Sequence, residues 1–177
     1  MAQASEYPDH LYVGRHRDMD GRGHQPWVRR GVLTLFAVLI ALALLNVFGQ
    51  RSETHQVTGS GANVEVRGPT RVRGGLLFQQ RITIDATRDI QYPRVVLGTG
   101  FLDGLQVNTI EPSAQSEASR DGKLVLSYPK LAKGDKLEIW VQLQANPTHV
   151  GKTDTSVEVD DQTTPLATVP RTLTTFP

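Results

Sequence analysis

Hydrophobic residues follow two different patterns along this chain, and the first is a continuous run. The run GVLTLFAVLIALALLNVFG, residues 31–49, contains no charged side chain. A helix rises about 1.5 Å per residue, so a run of this length covers roughly the ~30 Å hydrocarbon core of a bilayer. The pattern therefore predicts one transmembrane α-helix over residues 31–49.

A buried core helix and a cleaved signal peptide are the alternatives for this run. A helix that is apolar on every side needs a large protein around it, and 177 residues leave too little chain for that. The apolar part of a signal peptide usually spans about 7–15 residues near the N-terminus, whereas this run is longer and follows 30 residues. We favour an uncleaved signal anchor.

Positive charge flanking the run predicts its orientation. Within fifteen residues before the run lie four arginines, Arg17, Arg22, Arg29 and Arg30. Over a similar distance after it lies only Arg51. The N-terminus is therefore expected in the cytoplasm and the C-terminal part outside. Trp27, Arg29, Arg30 and Arg51 are expected to flank the membrane, with Trp27 as an interfacial aromatic anchor.

The segments on both sides of the run are polar. Residues 1–30 have few apolar side chains and predict a flexible cytoplasmic tail. Three histidines recur in this tail, but their spacing matches no compact metal-ligand pattern: His10, His16 and His24. Residues 50–62, QRSETHQVTGSGA, are rich in Ser, Thr and Gly and predict a linker.

From Asn63 onward the second pattern begins, an alternation of apolar and polar residues that is typical of half-buried strands. In LLFQQRITIDA the residues expected to face the core are Phe78, Ile82, Ile84 and Ala86. In KLEIWVQLQA they are Leu137, Ile139, Val141, Leu143 and Ala145. Asp121-Gly122 is a hairpin signal. These segments predict an all-β extracytoplasmic domain, an antiparallel β-sandwich of about seven or eight strands over residues 63–177.

The C-terminal segment carries two prolines. Pro165 and Pro170 interrupt a stretch rich in Thr and Val. Because proline has no N–H to donate to a neighbouring strand, residues 166–177 are expected to form an edge strand or an extended strap.

The order of turns and strands in residues 72–160 resembles the immunoglobulin-like conserved-repeat modules of bacterial surface proteins. The matching segments, in order, are Gly75, Ile82–Ile84, Val95–Leu97, Gly104-Leu105, Leu131–Asp135, Gly151 and Val157–Val159. The chain departs from these modules at Asp85-Ala86, where they often have Asn, and in having one copy. The resemblance implies an Ig-like sandwich with no enzymatic activity and no catalytic residues.

The charge and composition of the chain argue against several classes of function. The net charge is +1, from 19 Lys and Arg against 18 Asp and Glu, so no concentrated basic face predicts nucleic-acid binding. The chain has no cysteine, which excludes disulfides, thiolate nucleophiles and Cys-ligated metals within it.

Catalytic and metal motifs are absent from the sequence as well. It contains no G-x-S-x-G, P-loop, H-E-x-x-H or EF-hand pattern. Glu158, Asp160 and Asp161 offer several oxygens to a cation, but no Gly-organised loop surrounds them, and a solvated strand end is the favoured interpretation. We expect no enzyme activity, no cofactor and no metal site.

Two residues are candidates for contact with a partner. Trp140 is expected to face outward, either as an interface anchor or as cover for a sheet face beneath the C-terminal strap. His149 lies in QLQANPTHVGK, residues 142–152, which predicts a loop between two strands because Pro147 ends regular pairing and Gly151 supplies a turn.

These features favour a non-enzymatic single-pass membrane protein that presents an Ig-like sandwich outside the membrane for protein–protein interaction in the bacterial envelope. The expected partners are the lipid bilayer and another membrane or envelope protein. One alternative is an accessory subunit of a membrane complex that acts through its helix, where Ala37, Ala41 and Ala43 allow close contact. Another is a carbohydrate or cell-wall binding module that uses Trp140. The sequence carries no signal for the oligomeric state.

Overall fold

The computed structural model describes residues 25–45 and 50–177. The chain divides into two compact units, residues 1–48 and 49–177. The described part of the first unit is one α-helix, and the described part of the second is almost entirely β-strand. Each unit is therefore considered by itself.

Helix α1 is Gln25–Leu44. Pro26 lies in its first turn, where a missing N–H costs no hydrogen bond. Residues 26–44 are long and apolar enough to cross a membrane, by length and composition, and none of the apolar stretch is buried. The helix thus begins before residue 31, so the predicted flexible tail is wrong for residues 25–30. Residues 1–24 and 46–49 lie outside the described residues.

The second unit contains thirteen strands in its described residues, more than predicted. In chain order they are β1 Ser52–Thr58, β2 Ala62–Pro69, β3 Arg71–Arg73, β4 Leu77–Ala86, β5 Pro93–Leu97, β6 Leu105–Glu111, β7 Ser116–Arg120, β8 Lys123–Ser127, β9 Lys136–Ala145, β10 Gly151–Asp154, β11 Val157–Asp161, β12 Thr164–Val169 and β13 Thr172–Phe176. A short 3-10 helix, Thr99–Phe101, lies between β5 and β6.

The strands form three sheets. The first sheet has the order β1-β2-β4-β9-β6 and the second has the order β12-β11-β5-β8-β7. Every pairing within these two sheets is antiparallel. The third sheet has the order β10-β13-β3, and there β13 runs parallel to β3. The prediction of an all-β sandwich is confirmed, but one pairing departs from the expected antiparallel arrangement.

The inner faces of the sheets share one hydrophobic core. In the first sheet, Val66, Ile82 and Ile139 lie side by side across three neighbouring strands. All three side chains are fully buried, and burial of an aliphatic side chain of this size contributes about 1.5–3 kcal/mol. The second sheet adds its own inward residues, namely Val95, Leu97, Leu126, Val157 and Val159.

The predicted linker over residues 50–62 is wrong. Strand β1 pairs with β2 along its whole length, from Ser52 opposite Pro69 to Thr58 opposite Asn63. Only His55 and Val57 of β1 are half-buried, and the other side chains are exposed. Backbone hydrogen bonds to β2 therefore keep β1 extended, although its side chains show no alternation of apolar and polar residues.

The C-terminal segment is only partly an edge strand. Strand β12 lies at the edge of the second sheet, as predicted, which explains why it tolerates Pro165. Strand β13 lies between β10 and β3 and pairs with both, so the edge-strand or strap prediction is wrong for that strand. Pro170 falls between the two strands, where no ladder hydrogen bond is lost.

Candidate interaction surface

The second sheet has a concave outer face, which we call the groove face. Alternate residues of β11, β5, β8 and β7 point away from the core and surround a space of about 520 Å³. The strand registers place them in two rows across the sheet: Asp160, Arg94, Ser127 and Ser116, then Glu158, Val96, Val125 and Ala118. The fold thus brings Arg94 beside Asp160, 66 positions later in the sequence.

The centre of the groove face is apolar. Val96 and Val125 are half-buried and Ala118 is exposed. Val96 and Val125 are the middle residues of Val95–Leu97 and Leu124–Leu126, two runs that are apolar on both faces of the sheet. Loss of alternation in two neighbouring strands is the sequence signal that could have identified this surface.

Opposite charges flank the apolar centre. Glu158 and Asp160 lie on β11, and basic side chains of β5, β8 and β7 lie across the groove. Lys123 Nζ is 3.6 Å from Glu158 Oε2, so one ion pair is closed within the face. Arg94 Nη1 donates a hydrogen bond of 3.0 Å to the carbonyl oxygen of Gln162, which fixes its guanidinium beside the acidic strand.

The carboxylate of Asp160, on the groove face, lacks a full set of favourable partners. Partial burial, and then the neighbouring Glu158 carboxylate, raise the pKa of Asp160 above its ordinary value, although nearby Arg94 and Lys123 act in the opposite direction. Its Oδ1 is buried and has no hydrogen-bond partner within the described structure. An unpaired carboxylate oxygen costs free energy in the isolated protein, and a donor or cation from a partner would offset that cost.

Replacing Asp160 by asparagine should therefore stabilise the β unit. Because folding raises this pKa, the protonated carboxyl favours the folded state and the ionised carboxyl opposes it. The stabilisation by Asp160→Asn should be absent at about pH 3, where most carboxyls are protonated, and present at about pH 7. Thermal unfolding of the full chain in mild detergent at both pH values measures it.

Asp161→Asn is the matched control. The Asp161 carboxylate already accepts a 2.9 Å hydrogen bond from the Tyr92 N–H, and an asparagine oxygen can accept the same bond. This variant should gain no stability at either pH. Equal gains from both substitutions would contradict the assignment of the cost to Asp160.

Trp140 lies on the outer face of the first sheet and is 38% exposed, as the alternation predicts. The Arg81 guanidinium stands over its ring, 5.4 Å from the ring centre. Arg81 also lies 3.7 Å from carboxylate oxygens of Glu65 and Glu138. One face of the indole is therefore covered, and the ring belongs to a charged cluster of its own sheet.

His149 lies beyond the end of the same strand, in a loop bounded by β9 and β10. The predicted loop is confirmed, although the strand that follows it is β10 and not the predicted V-x-V strand, which is β11. The His149 ring packs against Gly104, whose φ of +103° favours glycine. The Asn146 side chain accepts hydrogen bonds from the N–H and hydroxyl of Thr148. Trp140 and His149 thus have separate surroundings.

The residues predicted to flank the membrane lie at two places. Trp27, Arg29 and Arg30 are exposed residues of α1, and Arg30 stands 5.5 Å from the centre of the Trp27 ring. Arg51 is exposed directly before β1. The contact of Trp27 and Arg30 keeps an aromatic ring and a cation together at the start of the helix.

Within residues 25–45 and 50–177, no group of three His, Asp or Glu side chains is arranged to hold a metal ion. Glu158 and Asp160 share a face, and Asp161, the next residue along β11, binds the backbone of Tyr92. The three tail histidines, His10, His16 and His24, lie outside the described residues.

Comparison with known proteins gives similarities of fold. No family model and no curated protein matches the chain. A non-cellulosomal cohesin from the hyperthermophilic archaeon Archaeoglobus fulgidus is similar with a TM-score of 0.43 and 14% identity, over 71% of this chain and 92% of that chain. The solution structure of CaCohA2 from Clostridium acetobutylicum is similar with a TM-score of 0.41 and 11% identity, over 60% of this chain and 85% of that chain.

Proposed function

We propose that this chain is a non-enzymatic single-pass membrane protein whose β unit, an Ig-like sandwich, binds another protein outside the membrane, in the bacterial envelope. The observation that carries the binding role is the groove face, where an apolar centre lies between opposite charges. Protein interfaces combine a desolvated apolar centre with a polar rim. The unpaired oxygen of Asp160 supports the same interpretation, since a partner can supply what the free protein lacks.

The composition of helix α1 supports the membrane anchor. Its large apolar side chains are exposed, among them Leu33, Leu35, Phe36 and Ile40. So much exposed apolar surface is unfavourable in water and favourable in a bilayer. The excess of arginines before the helix supports a cytoplasmic N-terminus and a β unit on the other side.

The charges of the groove face define the chemistry of the partner. Glu158 and Asp160 would attract a basic side chain, and Arg94 and Arg120 an acidic one. Val96 and Val125 would receive an apolar residue between them. The preferred ligand is therefore a protein segment with an apolar residue flanked by one base and one acid.

A photo-crosslinking amino acid at Val125, in cells that express the full chain, tests this function. We expect one dominant covalent adduct, because the side chain at this position lies in the groove face. The matched control is Gln142, an exposed residue on the outer face of the first sheet, which should give no such adduct. Equal adducts from both positions would contradict the proposal.

The same experiment distinguishes binding through the groove face from binding through helix α1. If α1 itself binds the partner, a crosslinker at Ala37 should give the dominant adduct and one at Val125 should give none. A carbohydrate-binding role for Trp140 has less support, because Arg81 covers one face of the ring on which a sugar would stack.

Membrane insertion is tested separately with a cysteine variant, since the chain contains no cysteine of its own. In Thr87→Cys, the thiol lies at an exposed position after β4. It should react in intact cells with a maleimide that cannot cross membranes, and the chain should remain with the membrane in alkaline carbonate. A thiol that reacts only after cell lysis would contradict the orientation.

A further inference from the structure

Four exposed apolar side chains lie together at one end of the β unit. Leu76, Leu77, Val150 and Phe176 are 43%, 55%, 55% and 47% exposed. Their segments are neighbours: Gly74 N donates a 2.8 Å hydrogen bond to Phe176 O, and Gly151, directly after Val150, pairs with Thr175. These four residues form what we call the end patch.

Three exposed cations adjoin the end patch on the outer face of the third sheet. Lys152 and Arg71 both pair with Thr174, one from each side, and Arg73 pairs with Phe176. Within the described residues none of the three cations has a carboxylate within ion-pair distance, whereas Lys123, Lys130 and Lys136 each have one. Their charges are therefore available to an external anion.

Acidic side chains near this end are few. Asp154 shares the outer face of the third sheet, but its Oδ1 accepts a hydrogen bond from Ser156 N and it pairs with Thr172, at the other end of β10. Asp103 lies in the turn before β6, next to Gly104, whose carbonyl accepts a hydrogen bond from Asn146 N. Glu53, the second residue of β1, also lies at this end and interacts with the buried Arg171. The three exposed cations therefore remain in excess.

The polypeptide also enters the β unit at this end. Ser52, the first residue of β1, pairs with Pro69. Two residues later Arg71 begins β3, and Thr174 N donates to Thr70 O at 2.9 Å. Strand β1 therefore begins at the same end as the three cations and the apolar side chains.

We propose that the end patch and its three cations dock on the surface of an anionic lipid bilayer. This inference rests on the proposed membrane anchor, which keeps the β unit close to a bilayer. Exposed apolar side chains gain by entering the interfacial region of the membrane. Each basic residue near an anionic surface adds about fivefold to the docked population, so three add about a hundredfold.

Depth-dependent fluorescence quenching tests the docking. The full chain with Val150→Cys, labelled with an environment-sensitive dye, is reconstituted into vesicles of phosphatidylcholine with about one third phosphatidylglycerol and a spin-labelled lipid. We expect strong quenching of the dye at position 150. A dye at Thr87→Cys, at the opposite end of strand β4, should be quenched little.

A second part of the experiment removes the charges of the three cations. In the triple variant Arg71→Gln, Arg73→Gln and Lys152→Gln, with the same dye at position 150, the docked-to-undocked ratio should fall about a hundredfold. Vesicles of phosphatidylcholine alone should give the same loss with the original charges. The substituted side chains are exposed, so the fold should stay intact.

The outcomes separate docking from anchoring. Equal quenching at positions 150 and 87, or quenching that survives both the triple substitution and removal of the anionic lipid, would overturn the docking. If the chain resists alkaline carbonate and position 87 is labelled from outside, only the docking is then wrong. Release by carbonate would remove the anchor and the docking together.

Discussion

Replacing Ile139 by alanine should lower the free energy of unfolding of the β unit by about 3–4 kcal/mol. Ile139 is fully buried in β9, opposite Ile82 of β4, and β9 lies between β4 and β6 in the sheet. The shorter side chain removes apolar contacts and leaves a cavity that the two neighbouring strands, held by backbone hydrogen bonds, cannot fill. Urea unfolding of the full chain in mild detergent, followed by circular dichroism, measures the loss.

Gln142→Ala is the control on the same strand. Its side chain is exposed, and exposed substitutions usually change stability by less than about 0.5 kcal/mol. A loss below about 1 kcal/mol for Ile139→Ala would mean that the centre of the first sheet is less tightly packed than the structure describes.

The alternation of apolar residues predicted the central strands well. In β4 the residues expected inward are buried, namely Phe78, Ile82, Ile84 and Ala86. In β9 the same holds for Ile139, Val141, Leu143 and Ala145, and Leu137 is half-buried. These strands lie in the middle of a sheet with one face against the core, which is the situation in which side-chain alternation reports the fold.

The edge strands could not be predicted from the same pattern. Every side chain of β7, Ser116–Arg120, is exposed, and β1 has only two half-buried residues. Both strands exist because their backbones pair with a neighbour. Such pairing depends on a partner strand and leaves no periodic record in the side chains.

The third sheet could not be predicted from the sequence for a further reason, namely that its strands are distant in the chain and carry buried polar residues. Strand β13 pairs with β3, about 100 residues earlier, and its inward face includes Thr175, which is buried beside Leu173. Arg171 is also buried, and its Nη2 donates a 2.7 Å hydrogen bond to Pro69 O. Burial lowers the pKa of Arg171 to about 10. Polar residues at buried positions interrupt the alternation of apolar and polar residues, so hydrophobicity alone does not predict the strand.

The candidate site was predicted less well than the fold. The outward direction of Trp140 followed from alternation, but its contact with Arg81 required the register between β4 and β9. The groove face combines four strands whose order in the sheet is not their order in the chain. The sequence favours a solvated strand end for Glu158 and Asp160, because nothing in it places Arg94 and Lys123 near them.

A charge exchange on the groove face should abolish partner binding while the fold stays intact. In the double variant Lys123→Glu and Glu158→Lys, the ion pair within the domain can form again with its ends reversed. The exchange also removes the Glu158 carboxylate from beside Asp160, where it raises the pKa of Asp160, so the stability should not fall. The charges at positions 123 and 158, two of those presented to a partner, are inverted, and like charges across an interface oppose binding.

The most direct test of the groove face as the interaction surface is the crosslinking yield from position 125 in this charge-exchanged chain. We expect the dominant adduct to fall at least about tenfold, which corresponds to a loss of about 1.4 kcal/mol in binding free energy, while the charge-exchanged chain unfolds at no lower urea concentration than the original chain. An undiminished adduct from position 125 in the charge-exchanged chain would contradict it.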